Sequence, residues 1–103
     1  MVDWGAIEGF EWDEGNSRKS VDKHSVNQAE AEQVFLNEPL LISDGVGHSA
    51  SEPRYHALGK TDQDRRLHIT FTVRGSGTLI RVISARDTHR KERARYEKET
   101  KEA

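Results

Sequence analysis

The chain has 103 residues, enough for one domain with a thin core. Hydrophobic and charged residues each make up 33%, the formal net charge is −2 and the mean hydropathy is −0.88, so either the core is small or a partner completes the burial. There is no cysteine, which excludes disulfides, thiolate metal sites and a cysteine nucleophile.

Residues 1–9 read as a loose lead-in. Phe10-Glu11-Trp12 alternates and is a first strand or its stub. Asp13 can cap a helix over about 14–24 whose apolar face is narrow, with Val21 almost alone on it. Val26-Asn27-Gln28-Ala29-Glu30 is a stronger start signal: Asn27 and Glu30 form a capping box with Val26 at the staple position. Ala31, Val34 and Phe35 then share one helical face, and Pro39 disfavours helical geometry at Glu38. Leu40-Leu41-Ile42 reads as a short buried strand.

Residues 44–52 form a loop that includes His48, and Arg54 to Gly59 alternates as a strand would. A turn at Asp62-Gln63-Asp64 leads into the cleanest period-two pattern, with Leu67, Ile69, Phe71 and Val73 on one face and His68, Thr70 and Thr72 on the other. Gly75-Ser76-Gly77 is a hairpin turn. In the strand that follows, Ile80, Val82 and Ser84 are expected on one face, and Leu79, Arg81 and Ile83 on the other. Asp87 or Thr88 can cap a last helix running toward Lys98, with only Ala94 and Tyr96 as apolar candidates. This order predicts an α+β fold: a small antiparallel sheet of about four strands, covered on one face by helices.

The charge divides unevenly. Residues 1–52 hold three bases (Arg18, Lys19 and Lys23) against eleven acids, while residues 53–103 hold thirteen bases against seven acids. Most of the latter bases are arginines, which suit bidentate phosphate recognition. No histidines stand at a metal-ligand spacing such as i,i+4 on a helix, so neither a metal nor a cofactor is expected. No run approaches the roughly 18 apolar residues of a membrane span. No basic stretch followed by an apolar one opens the chain. A cytoplasmic protein with no membrane association is the expectation.

One set of residues carries a family likeness. It comprises Phe10-Glu11-Trp12-Asp13, Lys23-His24, Val34-Phe35 with Pro39-Leu40, Arg54-Tyr55 with Gly59-Lys60, Ile80-Arg81-Val82-Ile83-Ser84-Ala85-Arg86, and Glu92-Arg93 with Tyr96-Glu97. Together they resemble the BrnT family of toxin–antitoxin toxins across about residues 10–97, which makes 10–97 the domain and 98–103 a tail. The resemblance implies a RelE-like fold and a metal-independent endoribonuclease that inhibits translation. It also implies a ribbon-helix-helix, BrnA-like antitoxin, held in a heterotetramer, through which alone the complex meets DNA. Two positions depart from the family pattern. Ser25 follows Lys23-His24 where members carry glycine, and a left-handed Ser25 would cost roughly 1 kcal/mol. Pro53 stands before Arg54 where members carry a polar or acidic residue.

Metal-free RNA cleavage needs a base, an acid and fixed positive charge around the phosphorane. Lys23 and His24 are the proton-transfer candidates, or else a surface pair capping helix carbonyls. Arg54 (with Glu52), Arg81 and Arg86 are the phosphate-gripping candidates; Arg81 has a salt bridge to Glu11 or Asp13 as its competing role. Arg90 and Arg93 offer a basic surface to the RNA backbone, or to an acidic part of an antitoxin. Tyr96 either stacks on a base or packs against the sheet. The ribonuclease reading asks that the first-helix imidazole meet the arginines of the C-terminal sheet. Its rivals are a non-catalytic nucleic-acid-binding module and an antitoxin-docking protein.

Overall fold

The computed structural model describes residues 2–16, 24–44 and 53–101. Lys23, Glu52, His48 and Val21 lie outside the described residues, as does most of the helix expected over 14–24. Besides a 3₁₀ turn at Trp4–Ala6 and helical residues at 14–16 and 24, the described residues form five strands and two α-helices. These are β1 (Gly9–Phe10), α1 (Gln28–Leu36), β2 (Leu41–Asp44), β3 (Tyr55–Lys60), β4 (Arg66–Arg74), β5 (Leu79–Asp87) and α2 (Arg90–Glu99).

The strands make one sheet in the order β1-β5-β4-β3-β2. β2 to β5 form the expected antiparallel meander. β1 pairs parallel to β5, Gly9 opposite Leu79, so the sheet has five strands and is mixed. The chain beyond β1 stays on that edge. The Glu11 amide donates to the Ile80 carbonyl, and the buried Asn16 side chain donates to the Val82 carbonyl at 3.0 Å. Asp13 accepts from the Asn16 amide, as a helix-capping aspartate does.

α1 begins at the Asn27–Glu30 capping box and buries Ala31 and Val34 against one face of the sheet. Leu67, Ile69 and Phe71 of β4 and Ile80, Val82 and Ala85 of β5 share the same buried cluster. Phe35 packs edge-on to Phe71, ring centroids 5.0 Å apart. The helix comes so near β3 that a Cβ at Gly59 would stand 2.8 Å from Val34 Cγ1. Trp12 closes the edge of this core and donates its indole N–H to Glu32 at 2.7 Å.

β5 departs from plain alternation. Thr70 pairs with Ser84 but Phe71 pairs with Val82, which leaves Ile83 as an extra residue. The bulge shifts the phase of the strand, so Ala85, and not Ser84, joins Ile80 and Val82 in the core. Ser84 instead lies on the face of Thr70. The same shift places Arg81, opposite Thr72, on the same face as Arg86, opposite His68.

The helices do not share one face. α2 meets the opposite side of the sheet from α1, because Arg66, His68 and Arg86 all point away from the apolar core and hold it there. Glu97 pairs with Arg66 and Glu92 with Arg86. The cap of α2 also differs from expectation. The first residue outside the helix is His89, whose backbone amide donates to Glu92 Oε1 at 2.8 Å.

Candidate nucleic-acid interface

The face of the sheet turned away from α1 is polar. Strand register sorts its side chains into rows. Arg54, Thr72 and Arg81 lie across one end, since Thr72 donates its hydroxyl to the Pro53 carbonyl and pairs with Arg81. The middle row runs Ser43, His56, Thr70 and Ser84 across four strands. The next row holds Leu58, His68 and Arg86. Successive rows are two residues apart, about 7 Å along the strands.

Arg54, Arg74 and Arg81 line an open recess of about 290 Å³, together with Gly15, Asn16, Val82 and Ile83. Arg81 is held within it by Glu11 at 3.0 Å and Asp13 at 2.9 Å. The carboxyl of Asp13 is held below the usual range, first by its hydrogen bond from the backbone of Asn16 and then by Arg81. An incoming phosphate meets a guanidinium that already has two acid partners. Arg54 is exposed in the same recess.

Arg86 stands about 13 Å from Arg81 along the strand. It makes a two-pronged pair with Glu92, at 2.8 and 2.9 Å. Arg86 holds the Glu92 carboxyl down to about 2. His68 lies beside this pair, its Nε2 3.9 Å from Glu92. Burial, followed by the charge of Arg86, pushes the His68 imidazole down to about 4, so the ring is neutral at pH 7. Its Nδ1 is buried without a hydrogen-bond partner among the described residues. His56 stacks on His68 with centroids 5.0 Å apart, and His56 Nδ1 lies 3.2 Å from the Thr70 hydroxyl.

His24 sits at the Arg86 end of β5, on the other side of the strand. Its carbonyl accepts from Arg65 at 3.3 Å, and its side chain lies in the neighbourhood of Asp87. Asp87 pairs with Leu67 of the core face, whereas Arg86 points to the polar face. His24 does not line the recess of Arg54 and Arg81. Arg65 fixes this corner: it grips Asp87 at 2.7 Å and Glu30 at 3.0 Å, and it also donates to the Ser25 carbonyl. Ser25 is left-handed, φ 55°, as a residue closing a helix would be.

Arg90 and Arg93 are exposed on α2, and Arg93 lies near enough to Asp87 to help hold that carboxyl down. Tyr96 is only 4% exposed. Its hydroxyl donates to the Pro39 carbonyl at 2.6 Å, and Arg66 lies over its ring. The ring therefore packs α2 to the sheet and has no open face for a base. His56, His68, Thr70 and Glu92 are site residues that the sequence pattern does not single out. His68 and Thr70 do carry a signal, the polar half of the β4 alternation, whereas His56 on β3 and Glu92 on α2 join them only through the fold. Among the described residues, no three His, Cys, Asp or Glu side chains group as metal ligands would, and no helix is long and apolar enough to cross a membrane.

The family model described as the ribonuclease toxin BrnT of type II toxin–antitoxin systems matches residues 12–92. The chain belongs to the BrnT family. An antitoxin partner and an RNA target follow from that membership. The fold agrees with the 1.1 Å crystal structure of the Brucella abortus ribonuclease toxin BrnT. That structure superposes with a TM-score of 0.55 at 21% identity, over 82% of this chain and 100% of the other. A search of curated proteins finds no match.

Proposed function

We propose that this BrnT-family chain is a cytoplasmic, metal-independent endoribonuclease that inhibits translation by cutting RNA. In this reading the substrate's own 2′-hydroxyl attacks the phosphate. Arg54, Arg81 and Arg86 hold the phosphorane and Arg90 and Arg93 the flanking backbone; His24, on the other side of β5 from those arginines, is not placed to reach the same phosphate, which leaves Lys23 as the first helix's proton-transfer candidate. A ribbon-helix-helix antitoxin neutralises the toxin in a heterotetramer and supplies the contact with DNA. The observation that carries the reading is the bulge at Ile83, which turns Arg81 and Arg86 to the same face of the sheet, with Arg54 and Arg81 sharing an open recess. Arginines so fixed suit a charge that develops in the transition state.

The deciding experiment incubates the purified chain with RNA in excess EDTA. Scission leaving 2′,3′-cyclic phosphate ends is expected. R54A and R81A should each slow it by about 10- to 1,000-fold, whereas H24A, on the other side of β5 from the arginines, should cut nearly as fast as the parent protein. RNA left intact, or cut only when a divalent cation is added, refutes the proposal.

A second reading rests on the acid partners of Arg81 and Arg86, which leave neither guanidinium free in the unliganded chain. On that reading the protein binds nucleic acid or docks its antitoxin without catalysis. It predicts RNA retained, intact, with a steep salt dependence.

A further inference from the structure

We propose that His56 is a catalytic proton-transfer residue of the RNA cleavage reaction and that His68 is its positioning residue. The inference rests on the ribonuclease reading above and adds a group to that site. His56 occupies the middle row of the polar face, with Arg54 and Arg81 one row to one side and Arg86 one row to the other. A ribose phosphate gripped by arginines on that face lies over this imidazole.

The ring is held in one orientation. The Thr70 hydroxyl bonds Nδ1, and the His68 ring lies against its face. With the hydroxyl donating to Nδ1, the ring's proton sits on Nε2; with the hydroxyl accepting, Nε2 carries the free lone pair. The second arrangement is the one a base needs. Neutral His68 suits the role, since a charged neighbour at stacking distance would oppose formation of a His56 imidazolium. The charged and titratable groups around the pair are Arg54, His68, Arg81, Arg86, Glu92 and His89.

In the step, His56 Nε2 takes the proton of the 2′-hydroxyl as the 2′-oxygen bonds to phosphorus. The bond from phosphorus to the 5′-oxygen breaks, and that oxygen takes a proton from water. The hydroxide left behind is neutralised by the proton His56 then releases. The products are a 2′,3′-cyclic phosphate and a 5′-hydroxyl, with no net consumption of water.

The test uses the intact chain in EDTA on an RNA oligonucleotide with one cleavable linkage. H56Q keeps a group that can bond Thr70 but cannot take the proton. A fall in kcat of about 100-fold or more is expected, with KM within about threefold and the circular dichroism unchanged. H68Q should keep measurable activity but shift the acidic limb of the pH–rate profile. If H56Q is unstable, H56A assayed with added imidazole replaces it, and partial restoration is expected. Cleavage by H56Q within about threefold of the parent protein overturns the proposal, as does H56A that imidazole does not rescue. A parent protein that leaves RNA intact in EDTA is a different result: it removes the ribonuclease reading itself, and this inference with it.

Discussion

The two faces of the sheet are made by the same strands and have opposite tasks. On the α1 side, Leu67, Ile69 and Phe71 are fully buried. On the other, their sequence neighbours His68 and Thr70 stay partly exposed among arginines. One face holds the molecule together by removing apolar surface from water. The other concentrates guanidinium and imidazole groups, several of them paired with acids that hold α2 in place, around a recess that suits an anion. Substitutions on the α1 side therefore act on stability alone, while those on the other side act on activity and, through the groups that hold α2, on stability as well.

The largest break in that separation should come from the apolar face. Phe71→Ala removes the ring on which Phe35, Tyr55 and Trp4 all converge. We expect a loss of about 3–5 kcal/mol in urea unfolding, enough to unfold much of a lean domain. Retention of most of the parent stability would show that the core lies elsewhere.

The polar face contributes a pH dependence. His68 is depressed in the folded chain from 6.5 to about 4, so the unfolded chain binds the extra proton first. Stability from this group is full above about 6.5 and falls as pH drops toward 4, by up to roughly 3 kcal/mol. Glu92 adds a separate loss below 4.5 toward about 2, as its pair with Arg86 is protonated. His68→Gln should flatten the first window and spare the second. Equal acid sensitivity of the two proteins between pH 6.5 and 4 would count against the assignment.

Arg65 tests the corner where the two faces meet. Arg65→Ala frees Asp87, Glu30 and the His24 and Ser25 carbonyls at once. A destabilisation of about 2 kcal/mol is expected from chemical denaturation. The smallest effect is a gain. Ser25→Gly relieves a left-handed backbone and should raise stability by about 0.5–1 kcal/mol; a lower melting temperature would contradict this.

Much of the fold is readable from local chemistry. The Asn27–Glu30 box, the Gly75-Ser76-Gly77 turn and the β4 alternation each depend on residues a few positions apart. The candidate site is readable only in part. His56 and His68 are 12 positions apart in the chain, and nothing local announces that their rings stack. The cap of α2 falls at His89, one residue past Thr88, where Glu92 accepts from the His89 amide while it also pairs with Arg86.

What the residues alone determine, then, is which segments are strands or helices, and which side of β4 is apolar, because backbone propensity and side-chain period act over a few residues. Only the tertiary structure decides that β1 joins the sheet in parallel and that α2 crosses to the polar face. It alone turns Arg81 and Arg86 the same way. A spacing of five along an unbroken strand sends two side chains to opposite faces, and the extra residue at Ile83 reverses that outcome. The bulge answers to how Ile80, Val82 and Ala85 pack against the rest of the core, a balance no short stretch of sequence contains.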